Sequence, residues 1–250
     1  MPNADDHTLS AELAERAGAL LLELRSRLSS EGVEPKELKD AGDRASHEFL
    51  VAELAARRPE DAVLSEEARA DERADTSRLT APRVWIIDPL DGTREYGEGR
   101  SDWAVHVALV EDGTPTAGAV ALPGLGLVLS TGEPPALPDA PERLRVIVSR
   151  SRPPAEALTI AEALDAELVE MGSAGAKAMA ILRGEADVYP HSGGQYEWDS
   201  AAPVAVAAAA GLSCTRLDGS PLVYNREDPY LPDLLICRPA HAERVLSVLN

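Results

Sequence analysis

The chain has 250 residues, 44% of them hydrophobic and only 4% aromatic, so aliphatic side chains and alanine must fill the core of one large domain or two modest lobes. Its 43 acidic residues against 24 basic ones give a formal net charge of −19, which argues against attraction to nucleic acid or an anionic membrane surface. An anionic substrate would then need a local attractant, such as a bound metal cation among carboxylates.

The N-terminus and the two cysteines indicate the cellular compartment of the protein. Residues 1–6 have neither the basic start nor the apolar segment of a secretory signal, and the sequence has no run of about 18 apolar residues. Cys214 and Cys237 lack CxxC spacing, which favours buried, reduced thiols over a disulfide or a metal site. The sequence therefore predicts a cytoplasmic protein that has no membrane partner.

The N-terminal half reads as helices followed by a largely antiparallel sheet. Apolar positions at helical spacing predict a helix over residues 9–28 and a second over 43–58, with Pro59 beyond its end. Apolar runs of strand length occupy 62–65 and 84–87, and acidic residues follow each of them. Further strands are predicted at 103–110, 116–122 and 125–130, with a hairpin turn at Asp112-Gly113.

The pattern changes after residues 132–141, where four prolines in ten residues indicate a connector. Strand-like and helix-like segments then alternate at 144–148, 155–164, 166–171, 176–182 and 186–189. An alanine-rich helix at 200–210 and strands at 212–216 and 234–238 follow. This alternation predicts an α/β lobe. We therefore expect two lobes, residues 1–135 and 142–250.

The segment Asp88-Pro89-Leu90-Asp91-Gly92-Thr93 directly follows a predicted strand. It supplies two carboxylates, a backbone carbonyl and a hydroxyl, and oxygen ligands of this kind are those that Mg²⁺ takes. Gly92 permits a sharp turn, and the residues after it could open a helix whose free N–H groups face a phosphate. Alone, the motif is equally compatible with an acidic surface turn, whereas an EF-hand would need alternating acids and a closing glutamate.

Two other segments carry carboxylates in similar positions. Glu66 follows the predicted strand at 62–65, and Asp199 stands at the start of the alanine-rich helix. Taken singly, Glu66 is typical of a solvent-facing residue and Asp199 of a helix N-cap. Together with Asp88 and Asp91, they provide four carboxylates from three distant segments, which favours a metal site.

These three segments, in this order and spacing, resemble the magnesium-dependent, lithium-sensitive phosphatases of the inositol monophosphatase superfamily, and the resemblance covers nearly the whole chain. It is closest to CysQ-type 3′(2′),5′-bisphosphate nucleotidases of actinobacteria, through residues 63–67, 85–96, 103–106, 148–154, 172–177 and 217–222. The resemblance implies an α+β and α/β architecture, the layered αβαβα sugar-phosphatase fold. In it, an N-terminal lobe of helices and an antiparallel sheet precedes a C-terminal α/β lobe.

The resemblance also implies a function. The expected reaction is Mg²⁺-dependent hydrolysis of the 3′-phosphate of adenosine 3′,5′-bisphosphate to AMP in sulfate assimilation, with the sulfated nucleotide as a further substrate. Inositol monophosphatase or fructose-1,6-bisphosphatase activity is the alternative, because the metal site binds the phosphate group and does not select the molecule attached to it. A non-catalytic metal or nucleotide sensor is an alternative of another class. A homodimer is left open.

Residue roles come from the same resemblance. It implies that Glu66, Asp88 and the Leu90 carbonyl hold one Mg²⁺, and that Asp88, Asp91 and Asp199 hold a second. Asp43 and Thr93 would orient and deprotonate the attacking water, and Glu66 belongs to the same catalytic set. Relatives often carry threonine three residues before the Asp43 position, where this chain has Asp40. The implied substrate-binding set comprises Glu66, Leu90, Asp91, Gly92, Thr93, Ser173, Gly175, Lys177 and Asp199.

Several of these residues have structural interpretations as well. Asp43 could be the N-cap of the second helix. The segment 172–175 could be a plain glycine turn followed by a solvated Lys177. Arg150 and Arg152 are candidates for binding the 5′-phosphate, and residues 193–196 for shaping the nucleoside pocket. His106, in a strand, is predicted to be a core or supporting residue rather than a catalyst.

Overall fold

The fold is given by a computed structural model that describes residues 4–69, 76–139 and 141–249. Residues 1–3 of the N-terminal stretch and residue 140 of the connector lie outside that range. The helices are α1 (Ala4–Ser30), α2 (Pro35–Arg57), α3 (Thr93–Gly97), α4 (Ala155–Leu164), α5 (Ala174–Leu182), α6 (Glu197–Ala209) and α7 (Pro239–Leu249). Short 3₁₀ turns occupy Thr76–Thr80 and Pro123–Leu125.

The first sheet contains β1 (Ala62–Ser65), β2 (Arg83–Asp91), β3 (Ala104–Glu111), β4 (Thr114–Leu122) and β5 (Leu127–Ser130), in that spatial order. The first two strands are parallel and the remaining pairs antiparallel. Asp112 and Gly113 both have positive φ, at 50° and 74°, as a two-residue hairpin turn requires. The predicted antiparallel sheet and its hairpin are confirmed.

The second sheet is mixed. It contains β6 (Arg145–Ser149), β7 (Glu167–Met171), β8 (Val188–Tyr196), β9 (Ser213–Thr215) and β10 (Tyr230–Cys237). The spatial order is β7-β6-β8-β10-β9, with β6 parallel to β7 and β8, and β10 antiparallel to β8 and β9.

Three hydrophobic clusters define the layers. Alternate residues of β2 point to opposite faces, so Trp85 packs under α1 and α2 while Ile86 packs against α5 and α6. That middle cluster also includes Ile236 of the second sheet. The far face of the second sheet is covered by α4 and α7, through Ile160 and Val245. The order helix, sheet, helix, sheet, helix confirms the expected αβαβα fold, whereas the lobe boundaries stay a prediction.

Several elements differ from expectation, among them α1, which begins at Ala4, β8, which continues to Tyr196, and β10, which begins at Tyr230. Helix α2 begins at Pro35, eight residues before the predicted start, because its first turns are mostly exposed and show little apolar periodicity. Proline at the first helical turn is well tolerated there. Strand β2 continues through Asp91, helix α6 begins at Glu197, and α7 lacks a sequence prediction.

Both cysteines are free thiols, as predicted. Cys214 lies opposite Ile236, the residue before Cys237, so the two side chains point to opposite faces of the sheet. In the described part of the chain, no helix combines the length and the apolar character that crossing a bilayer demands.

A buried ion-pair network fastens α1 and α2 to the first sheet. Arg83 contacts the carboxylates of Asp61 at 2.9 Å and Asp6 at 3.1 Å, and the Asp6 side chain is fully buried. Arg58 also reaches Asp6, and the Trp85 indole N–H donates to Asp61 at 2.8 Å. Removing Arg83 would therefore leave two largely buried carboxylates short of a partner.

We expect Arg83→Met to lower the free energy of unfolding by about 3 kcal/mol, because Asp6 and Asp61 would each lose one cationic partner in a largely buried position. Urea denaturation measures the change. Arg143→Met is the matched control, since Arg143 and its partner Asp165 are 60% and 94% exposed and their pair is worth less than about 1 kcal/mol. Equal losses in the two variants would contradict the prediction.

Candidate metal centre

A bulge in β2 brings the two motif aspartates to one face of the sheet. Asp88 lies opposite His106 on β3, and Asp91 lies opposite Ala104, so β2 advances three residues while β3 advances two. In a regular strand, residues three apart would face opposite sides. The extra residue shifts the alternation by one position, so the Asp88 and Asp91 side chains project from the same face. Within the bulge, the Asp88 carboxylate accepts the Leu90 N–H at 3.0 Å.

The predicted carboxylates converge at this bulge. Asp88, Asp91 and Asp199 each offer an oxygen, and these atoms all lie within 4.8 Å of one another. Glu66, just after β1, forms a side-chain hydrogen bond with Asp88. Asp199 stands in the first turn of α6, where its Oδ2 also accepts the Tyr196 N–H at 2.7 Å. Asp199 is the third residue of α6 and Tyr196 is the N-cap, so the N-cap interpretation of Asp199 is wrong; its carboxylate also faces the other acids.

Burial and mutual repulsion dominate the electrostatics of this cluster. Burial, followed by the charges of neighbouring acids, raises the pKa of Glu66 to about 7. Burial and the Asp91 charge raise the pKa of Asp199 to about 7 as well. The pKa of Asp88, buried and surrounded by Glu66, Asp91 and Asp199, lies well above its usual range. The protein alone therefore does not balance this negative charge at neutral pH.

The donor set fits hard divalent cations. The converging ligands are carboxylate oxygens, the Leu90 carbonyl belongs to the same bulge, and Mg²⁺ and Ca²⁺ prefer oxygen ligands. Burial and the charges of neighbouring acids raise the pKa of both Glu66 and Asp88, and a bound cation would compensate this charge. Glu66, Asp88, Leu90, Asp91 and Asp199 are therefore the residues that would hold metal.

In the absence of divalent cations, we expect stability to fall as pH rises from about 4 towards 8. The folded pKa values of Glu66 and Asp199, both about 7, exceed the ordinary values of 4.5 and 3.8. The folded state therefore binds more protons across this window, and stability is lost as they dissociate. Thermal unfolding in EDTA measures the slope. Mg²⁺ should restore stability at pH 8, and Glu66→Gln should flatten the curve; a Tm in EDTA that rises across the window would refute the assignment.

Asp91 is held by the N-terminus of α5. Its Oδ2 accepts the Ser173 hydroxyl at 2.5 Å and the Gly175 N–H at 2.6 Å, and its Oδ1 accepts the Ala174 N–H at 3.1 Å. Burial acts to raise the pKa of Asp91, but His106, Lys177 and these donors outweigh it and hold the pKa below its usual range. Asp91 is therefore the ionised member of the cluster.

Ser173 adopts an unusual backbone conformation, with φ 52° and ψ 137°. Positive φ is uncommon for a residue with a side chain, and such strain concentrates at functional sites. The conformation lets the Ser173 hydroxyl donate to Asp91 while accepting the Ala176 N–H at 2.9 Å. Ser173 and Gly175 therefore support a predicted metal ligand, and their role as substrate contacts stays a prediction.

Asp43 and Thr93 form the expected pair beside the acids. The Thr93 hydroxyl lies 3.4 Å from Asp43 Oδ1 and 3.1 Å from the Leu90 carbonyl. Burial, followed by the Glu67 charge, raises the pKa of Asp43 to about 7. Asp43 lies in the middle of α2, so its interpretation as a helix N-cap is wrong.

Gly92 is required where the chain leaves the bulge. Its φ is +87°, and an added Cβ would come within 3.1 Å of the Ser173 Cβ and 3.2 Å of the Trp103 Cα. Both the left-handed conformation and the close approach exclude larger residues. Gly92 precedes the short helix α3, so the motif does end in a helical turn.

Two basic residues that are candidates for binding substrate already bind other groups of the protein. Lys177 is only 5% exposed, and its Nζ donates to the Ser173 carbonyl at 2.5 Å, so the solvated-lysine interpretation is wrong. Arg150 binds Glu95 at 2.8 Å and Glu98 at 2.9 Å. Arg152 is exposed, and a Cβ on Gly194 would lie 3.6 Å from its guanidinium. Within the described ranges, the Arg152 side chain has no ion-pair partner.

His106 is a buried supporting residue, as predicted. The residue is fully buried, its Nε2 lies 3.2 Å from Asp91, and its Nδ1 lies 3.0 Å from the Trp198 carbonyl. Its position on β3, opposite Asp88, depends on strand register, which a lone histidine in an apolar run does not reveal. Gln195, also buried, donates to the Tyr189 hydroxyl at 3.2 Å.

Comparison with known proteins gives a consistent result. Residues 5–249 match the inositol monophosphatase family. A 3′-phosphoadenosine 5′-phosphate phosphatase of Mycobacterium leprae (strain TN) is 50% identical over 259 aligned positions, 98% of this chain and 93% of the relative. The 3′(2′),5′-bisphosphate nucleotidase CysQ of Escherichia coli (strain K12) is 33% identical over 204 positions, 76% and 81% of the two chains. The crystal structure of CysQ from Bacteroides thetaiotaomicron superposes with a TM-score of 0.76 at 27% identity, covering 94% and 97%.

Proposed function

The chain belongs to the inositol monophosphatase family, and we propose that it is an enzyme that hydrolyses the 3′-phosphate of adenosine 3′,5′-bisphosphate to AMP and phosphate. The observation that carries the phosphatase reaction is the cluster of Asp88, Asp91 and Asp199 with Glu66 beside it, next to the Thr93–Asp43 pair. The choice of nucleotide is supported by the names of the mycobacterial and E. coli relatives.

We assign Mg²⁺ as the cofactor because the ligands are oxygens from carboxylates and one carbonyl. Glu66, Asp88 and the Leu90 carbonyl would hold one ion, and Asp88, Asp91 and Asp199 a second. Bound metal ions neutralise phosphate oxygens, lower the pKa of a water and stabilise a leaving oxygen. Cations of this kind would make a net charge of −19 compatible with an anionic substrate.

Thr93 and Asp43 provide the route for the proton of the attacking water. The Thr93 hydroxyl can accept a hydrogen bond from water while it donates to Asp43 Oδ1, 3.4 Å away. Asp43, with a pKa of about 7, is partly ionised at neutral pH and suits a general base. The proton therefore passes from water through Thr93 Oγ1 to Asp43, and a covalent phosphoenzyme is unnecessary.

Arg152 is the candidate for the substrate's 5′-phosphate. Arg150, the other arginine of the same loop, is neutralised by Glu95 and Glu98. Arg152 keeps an unpaired guanidinium within the described residues, beside the Gly193-Gly194 stretch that leads to Asp199. A guanidinium recognises phosphate through two parallel N–H donors.

The substrate test measures Mg²⁺-dependent phosphate release from four compounds, of which 3′-AMP serves the Arg152 comparison. We expect kcat/KM for adenosine 3′,5′-bisphosphate to exceed the values for inositol 1-phosphate and fructose 1,6-bisphosphate. Arg152→Ala should raise KM for the bisphosphate about tenfold, as expected for one lost charge-assisted contact, and leave KM for 3′-AMP unchanged. Arg143→Ala, a remote exposed arginine, is the control.

The outcomes separate the alternatives. A higher kcat/KM for inositol 1-phosphate would overturn the nucleotide assignment and favour inositol monophosphatase activity. Binding of nucleotide and metal without any turnover would favour the non-catalytic sensor. The cytoplasmic location, the place in sulfate assimilation, activity on the sulfated nucleotide, lithium sensitivity and a homodimer stay predictions.

A further inference from the structure

Strand register places His106 among the predicted metal ligands. It lies directly opposite Asp88 on the neighbouring antiparallel strand, so both side chains project from the same face of the first sheet. Its side chain is fully buried, in contrast to a residue that would contact substrate. His106 therefore lies behind the acidic cluster.

The imidazole joins two ligand-bearing segments. Nδ1 lies 3.0 Å from the Trp198 carbonyl, the peptide oxygen immediately before Asp199. On the other side of the ring, Nε2 lies 3.2 Å from Asp91 Oδ2, an ion-pair contact. A carbonyl can only accept, so Nδ1 donates to the Trp198 carbonyl, whereas Nε2 makes a close contact with Asp91 that lacks hydrogen-bond geometry. The ring thus connects Asp91 on β2 with the first turn of α6.

Gly175 leaves the room that this arrangement requires. A Cβ built on Gly175 would lie 2.0 Å from His106 Nε2 and 3.0 Å from two ring carbons, distances that the fold does not allow. The Gly175 N–H donates to the same Asp91 oxygen that His106 faces. The imidazole is therefore wedged between Asp91, the N-terminus of α5 and the start of α6.

We propose that His106 is a positioning residue that holds Asp91 and Asp199 at the separation needed to bind metal, with Gly175 as the residue that admits its ring. The proposal rests on the metal-dependent phosphatase function proposed above. A histidine that orients metal ligands without binding the metal itself increases metal affinity. Losing such a group typically lowers metal affinity 10- to 100-fold.

Direct binding of Mn²⁺ tests the proposal independently of turnover. Free Mn²⁺ is measured by electron paramagnetic resonance during titration of the purified full-length chain. We expect His106→Ala to raise the Kd for Mn²⁺ by about 10-fold or more. In activity assays, the Mg²⁺ concentration for half-maximal rate should rise similarly, whereas KM for the nucleotide at saturating Mg²⁺ should stay within about twofold.

Two conservative variants separate the two contacts. His106→Asn can keep a donor near the Nδ1 position, facing the Trp198 carbonyl, and His106→Gln can keep one near Nε2, facing Asp91. Each should bind Mn²⁺ more tightly than His106→Ala does, and both more weakly than the wild type. Val120→Ala is the control, because Val120 lies opposite His106 on β4 and is equally buried. It should lower the Tm and leave the Kd for Mn²⁺ unchanged.

Gly175→Ala provides a second, independent perturbation. In the wild-type background, its methyl group would displace the imidazole and should weaken Mn²⁺ binding about as much as His106→Ala does. In the His106→Ala background the ring is gone, so the two losses should be clearly less than additive. Fully additive losses would contradict the steric link between the residues.

The proposal is overturned if His106→Ala lowers the Tm but binds Mn²⁺ like the wild type, because the ring would then serve packing alone. If His106→Ala fails to fold, Mn²⁺ titration of His106→Asn, His106→Gln and Gly175→Ala tests the proposal instead. A wild-type chain that binds Mn²⁺ but hydrolyses none of the phosphates would refute the proposed function and leave the His106 test intact.

Discussion

Asp88→Asn is expected to lower kcat/KM for adenosine 3′,5′-bisphosphate at least about a thousand-fold while it stabilises the metal-free protein. Asp88 is the predicted ligand of both ions, and losing several kcal/mol of charge stabilisation in the transition state corresponds to a change of this size. The amide fits the site, because its oxygen can accept the Leu90 N–H, as Asp88 Oδ1 does at 3.0 Å. Its NH₂ group can donate to Glu66.

The gain in stability follows from the raised pKa of Asp88. A carboxylic acid whose pKa is higher in the folded state costs stability once the pH exceeds its unfolded value. The neutral amide removes that cost at pH 8. Urea denaturation in EDTA and phosphate release in Mg²⁺ measure the two effects. Asp165→Asn, which removes one charge at an exposed site, is the control. An active Asp88→Asn enzyme would exclude Asp88 from the metal site.

Asp43→Asn and Thr93→Val are each expected to lower kcat about 10²- to 10⁴-fold, the range typical of losing general-base assistance. The two side chains act on one proton, so the double variant should be little worse than either single one. Thr93→Ser keeps the hydroxyl and should retain most of the activity. Mn²⁺ affinity should change little, which distinguishes these variants from those of the ligands. Fully additive losses would contradict a shared role.

The pH profile of kcat gives a second measure of Asp43. A general base must be ionised, so kcat should rise with pH through an apparent pKa at or below about 7, the value in the protein without cations. Bound cations favour the ionised carboxylate and move the midpoint downwards. Asp43→Asn should remove this limb, whereas Glu48→Gln, exposed on the same helix, should preserve it. An unchanged acid limb in Asp43→Asn would assign it to another group.

Much of the site was predictable from local sequence. The residue types in Asp88–Asp91, Glu66 after a predicted strand and Asp199 at the start of a predicted helix indicated which carboxylates would gather. The αβαβα layering followed from the resemblance of the motifs, and the hairpin from Asp112-Gly113. Apolar periodicity is weak where a helix starts with exposed residues. For this reason the sequence predicts that α2 begins at Asp43, and Asp43 was interpreted as a helix N-cap.

The sequence by itself therefore determined the chemical inventory: acids for metal, a hydroxyl and a carboxylate for water, and glycines at the tight positions. Only the tertiary structure decided how these groups face one another. The bulge that turns Asp88 and Asp91 to one face depends on pairing with β3, and the engagement of Asp91 by α5 depends on packing between the two sheets. The sequence predicted a core or supporting role for His106, and only strand register revealed its contact with Asp91, since contacts between residues distant in sequence are fixed by how the layers pack.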